Sequence, residues 1–307
     1  MTFDQLMQHA KDIKEKAVEL AIREHDQKYA TQSGVVGDPE SFRKHYAFIE
    51  ALFEPFSGMP DPAGYDPLIA DLNAAMAKLN TSPSHATQLT SDVGLANPLL
   101  DKMTTDGGYL QEWTGEAAME FKARFIDTFI TISGNQFTML STLKGALQAH
   151  QEMWRKARDD IDKIAESTKN ALDNAGGCGK NQWSFGFSVL SAVVAVGGVA
   201  VTVATGGTGL AVTLPAIGAA ASTGSAGVAA ITASGDSAET IVNSMKQAVD
   251  DLARHIHEVE TQQIASKVQA LTDAVHGNKD KLVSARPSLA GMSDRELASD
   301  HGMGKSD

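Results

Sequence analysis

The feature that most constrains this chain is a long stretch without any ionisable side chain, which lies between Lys180 and Asp236. Within it, residues 185–204 are apolar apart from a few hydroxyl side chains, and a glycine-rich turn follows at residues 205–209. A second uncharged segment comes next and is interrupted by Pro215. An apolar stretch of this kind is costly to keep in water unless other residues or lipid cover it. The flanking parts of the chain are therefore expected to provide that cover.

Two long amphipathic patterns flank the uncharged stretch. In residues 115–172 the apolar side chains recur at steps of three and four, with breaks at Gln136 and His150, and no proline interrupts them. A continuous helix over this range would be roughly 85 Å long at about 1.5 Å per residue. A second apolar stripe occupies residues 236–275 and ends at Gly277. A long helix cannot bury such a seam alone, so we expect these two helices to pair in an antiparallel way.

Shorter patterns precede the first long helix. Residues 3–30 form an amphipathic stripe, and Asp38-Pro39 is typical of a helix start, with an Asp cap followed by Pro at the first helical position. That second helix is expected to continue to Pro55, and a third to occupy residues 67–79. We accordingly divide the chain into N-terminal helices and loops (1–97), a helical segment (98–175), an apolar hairpin (183–232), a C-terminal long helix (236–277) and a mobile tail (285–307).

The predicted fold is all-α: an elongated bundle of long antiparallel helices with an apolar Gly/Ala-rich hairpin between the last two long helices. The hairpin either stays buried against those helices or inserts into a membrane, turning at Gly206-Gly207. The valine-rich first half also allows β structure. The residues expected to carry membrane contact or assembly are Phe185, Val189, Val193, Val196, Val199, Val203, Gly206, Gly207, Leu210 and Leu214.

Charge and cysteine content exclude several classes of protein. The chain has 26 Lys+Arg against 38 Asp+Glu, a net charge of -12, so we expect no nucleic-acid partner and little attraction to anionic lipid. The single cysteine, Cys178, excludes an internal disulfide framework and a Cys-rich metal site. The first residues lack a basic stretch followed by an apolar run, so no general secretory signal is visible.

No enzyme class emerges from the residues. His255 and His257 would lie about 200° apart on a helix, which does not suit a shared metal. Residues 176–180 are similar to a phosphate-binding loop, but Asn181 stands where such loops have Ser or Thr. The carboxylates at residues 159–162 are interpreted as a solvated helix face. We therefore predict no catalytic residue, no metal site and no cofactor.

One motif does suggest a family. Trp113-Thr114-Gly115 opens the longest helical pattern; glycine permits close backbone approach at a turn, and tryptophan can cover the apolar end of a helix pair. The run Trp113-x-Gly115-x-Ala117-Ala118-x-x-Phe121, followed by Asn135-Gln136 and Trp154-x-x-Ala157-Arg158, resembles the Trp-x-Gly superfamily exported by bacterial type VII secretion.

The resemblance covers residues 98–172 and implies a helical hairpin with Trp113 and Gly115 at its bend. In that family an export signal, Tyr-x-x-x-Asp/Glu, often follows the hairpin. Here Trp154 aligns with its tyrosine, and Arg158 stands four residues later.

Three functions follow as hypotheses. The first is a non-enzymatic protein of a type VII secretion context, secreted or at the cell envelope, with a homo-oligomeric or helical partner and with membrane contact left open. The second comes from a similarity in arrangement to helical pore-forming toxins, whose long helices shelter an apolar hairpin or tongue. The third is a structural self-assembling subunit.

Overall fold

The computed structural model describes residues 2–29, 37–79, 115–175, 182–186 and 230–283, together with Ser293 and Arg295. Helices dominate these ranges, which agrees with the predicted all-α class. The described residues fall into two compact units. The first unit holds residues up to Tyr65, those from Ala149 to 186 and those from 230 to Gln263, and the second holds the remainder.

The α-helices are α1 (Phe3–Lys28), α2 (Pro39–His45), α3 (Phe48–Phe53), α4 (Asp66–Leu79), α5 (Glu116–Phe121), α6 (Asp127–Asn174), α7 (Ala238–Glu258), α8 (Ser266–Gly277) and α9 (Lys279–Leu282). Short 3₁₀ helices cover Glu54–Gly58 and Pro62–Tyr65, and π-helical turns cover Lys122–Ile126 and Val259–Ala265. The two strands are β1 (Gln182–Gly186) and β2 (Ala230–Ser234).

Local signals in the sequence place most helix starts correctly. Asp38 accepts hydrogen bonds from the backbone N–H groups of Glu40 and Ser41, and Pro39 is the first residue of α2, as predicted. The helix expected to continue from there to Pro55 is instead two helices, because the chain turns at Tyr46. The turn leaves the Tyr46 side chain only 4% exposed. Burial of this aromatic ring is a tertiary effect that the local pattern does not encode.

The long helix predicted over residues 115–172 is continuous, and neither Gly134 nor Gly145 interrupts it. It contains a π-helical turn at Lys122–Ile126 that the apolar pattern did not reveal. The second long pattern likewise holds α7, a π-helical turn and α8, and it ends at Gly277 as predicted. A π-helical turn inserts one residue into the helix and shifts the side chains after it, so it can realign a seam without ending the helix.

The first unit is built around α1, α3, the later part of α6 and α7. Fully buried side chains from these helices form its core: Leu6, Ile13, Ile49, Phe53, Met153, Ile161, Ile164, Ile241 and Met245. Burying each such side chain stabilises the fold by about 1.5–3 kcal/mol relative to exposure. Polar contacts join α1 to α6, where Lys169 Nζ lies 3.0 Å from Asp12 and Lys16 pairs with Asp173. These pairs are partly exposed and contribute little by comparison.

The second unit packs α4, the first part of α6, α8 and α9. Met76 of α4 is buried with Phe137, and Leu271 of α8 packs against Met139 and Leu143. The seam break at Gln136 is explained here. Asn135 Nδ2 donates to the Lys281 carbonyl at 2.8 Å, and Gln136 Nε2 donates to the Leu282 carbonyl at 2.6 Å. Both amides donate to carbonyl groups at the end of α9. These carbonyls have no N–H donor from a following helical turn.

The two ends of the predicted apolar hairpin are strands, whereas a helical hairpin was one of its expected forms. β1 pairs with β2 in antiparallel register, from Gln182 opposite Ser234 to Gly186 opposite Ala230. Phe185, named as a hairpin residue, lies in β1 with 3% of its surface exposed. Aromatic and β-branched residues favour strands, and both segments contain them. The other named hairpin residues lie outside the described residues: Val189, Val193, Val196, Val199, Val203, Gly206, Gly207, Leu210 and Leu214.

Candidate functional site at the base of the uncharged segment

In the sequence, the paired strands β1 and β2 flank most of the uncharged segment. Residues 187–229 lie outside the described residues, and the two residues that flank them, Gly186 and Ala230, are direct partners in the ribbon. Neighbouring strands lie about 4.8 Å apart. The two ends of the uncharged segment are therefore held side by side by main-chain hydrogen bonds. We call β1, β2 and the residues that join β2 to α7 the base of the segment.

The connection from β2 to α7 is tight. A Cβ atom added at Gly235 would lie 2.4 Å from Thr240 Cγ2, which is far inside van der Waals contact. Ser237 caps α7, because its hydroxyl oxygen accepts from the Thr240 N–H at 3.3 Å. Its Oγ also lies 2.7 Å from Thr240 Oγ1. The close approach of residues 235 and 240 requires glycine at the first of these positions.

A carboxylate from α1 completes this connection. Glu24 Oε1 accepts a hydrogen bond of 3.0 Å from the backbone N–H of Ala238, the first residue of α7. A negative charge near the start of a helix is favourable, because the backbone N–H groups there carry partial positive charge. Burial nevertheless raises the pKa of Glu24, and the Ala238 hydrogen bond opposes that rise without cancelling it.

Tyr46 lies close to the same carboxylate. Burial, followed by the negative charges of Glu24 and Glu239, raises the pKa of Tyr46 to about 12. The phenol therefore stays protonated at neutral pH. Nothing in the local sequence pattern brings these two carboxylates beside Tyr46, so this contact could not be predicted from the sequence.

The glycine of the Trp-x-Gly motif has a distinctive backbone. Gly115 immediately precedes α5 with φ +103° and ψ 169°, and it is the only residue with positive φ in the described ranges. This region of conformational space is essentially restricted to glycine. Trp113, the other residue of the predicted bend, lies outside the described residues. Ala118 is buried and Met119 is 65% exposed on the helix that follows.

The positions aligned with the family's export signal take part in contacts within the fold. Trp154 Nε1 donates to His150 Nε2 at 3.1 Å. Arg158 Nη2 donates to the carbonyls of Met59 and Pro60 at 3.0 and 3.1 Å. Arg158 therefore joins α6 to residues 59–60 within the first unit, whereas the Trp154 contact lies within α6 itself. The seam break at His150 belongs to the same set of contacts.

Of the sites rejected from the sequence, the histidine pair and residues 159–162 lie within the described ranges, and residues 176–180 lie outside them. His255 Nδ1 lies 2.7 Å from the Asp251 carbonyl, and His257 is exposed. No group of three or more His, Cys, Asp or Glu residues that could hold a metal occurs among the described residues. The expectation of a solvated acidic face at residues 159–162 is wrong for Asp160, which is 1% exposed. Its position three residues after the buried Ala157 was the signal that it would face inward.

Among the helices of the described ranges, none has both the length and the apolarity needed to cross a bilayer.

No protein-family model, no curated protein sequence and no solved structure matches this chain.

Proposed function

We propose that this chain is a non-enzymatic helical protein of a type VII secretion context, which acts at the cell envelope through helix–helix assembly. The observation that carries the proposal is the backbone of Gly115, which has φ +103° directly before a long helix. A bend at Trp113 and Gly115 would place glycine in such a conformation. An ordinary helix start has no such requirement, since most residues can occupy the N-cap position with negative φ.

The contacts of the long helices support an antiparallel arrangement of the bundle. In the second unit, residues 135–136 meet residues 281–282, while Leu143 meets Leu271. In the first unit, β1 pairs with β2, and His150 lies 3.3 Å from Glu260. In each unit, residue numbers rise along the first segment while the numbers of the residues contacted on the second segment fall. This order fits an antiparallel bundle with the apolar hairpin between its last two long helices.

The internal contacts of Trp154 and Arg158 bear on the export route. An export signal has to be read by a receptor, whereas these two side chains bond to His150 and to backbone carbonyls. We therefore propose that the protein reaches or acts at the envelope together with a helical partner that supplies the signal. The partner is either a second copy of the chain or another helical-hairpin protein.

Fractionation of the native host into cytosol, membrane and medium tests this function. The protein is expected in the membrane or medium fraction, and deletion of the hexameric secretion ATPase is expected to move it to the cytosol. Gly115→Ala should reduce the exported fraction, while Gly145→Ala, a change within a regular helix, should not. A purely cytosolic protein in the unmodified host would overturn the proposal.

A second candidate function is a helical pore-forming protein, and the paired strands favour it. β1 and β2 hold Gly186 and Ala230, which flank the uncharged segment, side by side just before α7, and insertion of that segment as a single hairpin requires its two ends to be adjacent in this way. Dye release from phosphatidylcholine vesicles tests this function. Release that Val196→Asp abolishes and Val196→Ala preserves would support it. No release by the native chain would contradict it, and filaments or rings formed without lipid would favour a self-assembling subunit.

A further inference from the structure

The break in the apolar seam at His150 contains a group of four side chains drawn from three elements. Tyr65, at the end of the 3₁₀ helix Pro62–Tyr65, places its hydroxyl oxygen 3.0 Å from His150 Nδ1. Trp154, one turn further along α6, places Nε1 3.1 Å from His150 Nε2. Glu260, in the π-helical turn Val259–Ala265, places Oε1 3.3 Å from the same Nε2 atom.

Two of these partners make opposite demands on one nitrogen atom. The indole N–H of Trp154 can only donate, so it needs an unprotonated Nε2 with a free lone pair. An ionised Glu260 carboxylate can only accept, so it needs a proton on Nε2. A single nitrogen atom cannot accept from one and donate to the other at the same time. Trp154 and Glu260 therefore compete for His150.

The contact of His150 Nδ1 with Tyr65 is compatible with both the neutral and the protonated form of the His150 ring. Tyr65 can accept a hydrogen bond from Nδ1–H through its hydroxyl oxygen, whether the ring is neutral or charged. Burial and the nearby charge of Glu260 raise the pKa of Tyr65, while a hydrogen bond with Trp154 opposes that rise, and the phenol keeps its proton at neutral pH. In the described part of the chain, Tyr65 and Glu260 are the titratable groups placed against this ring from other elements. Gln151, the next residue of α6, is neutral and donates to the Pro62 carbonyl at 2.9 Å.

We propose that His150 is a proton-controlled switch that bonds Trp154 when neutral and Glu260 when protonated. In the neutral state Nδ1–H donates to Tyr65 and Nε2 accepts from Trp154. Uptake of one proton at Nε2 creates a donor to Glu260 and leaves the Trp154 N–H without that acceptor. Histidine is the side chain that most readily changes charge between about pH 5 and 8.

Protonation of His150 strengthens the hydrogen bond to Glu260, and so the contact between α6 and the π-helical turn at Val259–Ala265. A charge-assisted hydrogen bond is roughly twice as strong as a neutral one. The side chains of His150 and Glu260 are 24% and 44% exposed, so protons from solvent can reach the pair. Helical turns of the π type often mark places where a helix adjusts to function. The switch is independent of the secretion or pore-forming proposals and can be tested without either.

Indole ¹⁵N–¹H spectra of the full chain, recorded from pH 5 to pH 8, test the switch directly. The chain has 3 Trp residues, and Trp154→Phe identifies the resonance that belongs to Trp154. That resonance is expected to move upfield as pH falls, because its N–H loses His150 Nε2 as an acceptor and keeps only its contact with Tyr65. Glu260→Gln should shift the midpoint of this change to lower pH, since it removes the charge that favours protonated His150.

His150→Gln should abolish the change, while His255→Gln, which alters a histidine bonded to a backbone carbonyl, should leave it intact. Circular dichroism is the control for whether each variant keeps its helices. If His150→Gln fails to fold, Glu260→Gln still tests the proposal. A Trp154 resonance that does not move between pH 5 and pH 8 would overturn the proposal. An unchanged midpoint in Glu260→Gln would overturn it as well.

Discussion

Glu24 of α1 and Ala238, the first residue of α7, are joined by a hydrogen bond of 3.0 Å from the Ala238 backbone N–H to the Glu24 carboxylate. The contact links residues far apart in the sequence and lies directly after the strand that closes the uncharged segment. It satisfies one of the N–H groups that every helix leaves without a partner in its first turn. The N-terminal helix thus helps to fix the base of the segment.

Replacement of this carboxylate tests whether its charge or its hydrogen bond stabilises the fold. Burial raises the pKa of Glu24 above the usual value of 4.5. The stability that this group contributes is therefore fully present below its unfolded pKa and is lost as pH rises through the folded value. Glu24→Gln keeps an acceptor for Ala238 and removes the charge, so we expect a higher melting temperature than the native chain at pH 8.

The difference should shrink as pH falls through the range in which Glu24 becomes protonated. Glu24→Ala provides the control, because it removes the acceptor and should lower stability by about 0.5–1.5 kcal/mol. Thermal unfolding followed by circular dichroism at several pH values measures both changes. A lower melting temperature for Glu24→Gln than for the native chain at pH 8 would contradict this account.

The raised pKa of Tyr46 predicts that the stability of the fold also depends on pH in the alkaline range. Its pKa is raised from the usual 10.0 to about 12, first by burial and then by Glu24 and Glu239. The stabilising contribution of the protonated phenol is complete below pH 10 and disappears as pH rises through about 12. Tyr46→Phe cannot ionise, so it should shift alkaline unfolding to higher pH. Absorbance at 295 nm and circular dichroism follow ionisation and unfolding together, and unfolding at the same pH in both proteins would refute the prediction.

The parts of the fold that the sequence predicted are those determined by local signals. The helix starts at Asp38 and near Ser237 depend on capping side chains within three residues, and the end at Gly277 depends on one glycine. The continuity of the long helix follows from its apolar spacing and the absence of proline. Each of these features is encoded by neighbours in the chain.

The parts that were missed depend on residues distant in the sequence. β1 forms because β2 pairs with it across the whole uncharged segment, and no local pattern contains that pairing. The polar residues Gln136 and His150 were visible as breaks in the seam, but their partners at Leu282 and Glu260 were not. The conformation of Gly115 was partly accessible, because the motif suggested a turn there without giving its backbone angles.

Gly115 and Gly145 form a matched pair for measuring the cost of the Trp-x-Gly backbone. Gly115 has φ +103°, and a Cβ atom there would meet nothing within 4 Å, so any penalty of Gly115→Ala comes from the backbone alone. We expect that change to lower the free energy of unfolding by about 1–3 kcal/mol. Gly145 lies in the regular helix α6, also with open space around it, so Gly145→Ala should raise stability by about 0.4–1 kcal/mol. Urea titrations compare them, and equal effects of the two substitutions would show that Gly115 does not require its unusual conformation.

Gly235 and Thr240 test whether the connection from the strand ribbon to α7 depends on close packing. A Cβ at position 235 would lie 2.4 Å from Thr240 Cγ2 and 2.8 Å from Thr240 Cβ. Gly235→Ala is therefore expected to lower stability by about 1–3 kcal/mol through overpacking.

Thr240→Ser removes the methyl group that makes the closer contact and keeps the hydroxyl oxygen that lies 2.7 Å from Ser237 Oγ. The double variant Gly235→Ala/Thr240→Ser should consequently be destabilised less than the sum of the single changes, by at least about 0.5 kcal/mol. Rescue will be incomplete, because the contact with Thr240 Cβ remains. Urea unfolding of the four proteins measures this coupling, and additive effects would mean that the chain relaxes away from Thr240 when the glycine is replaced.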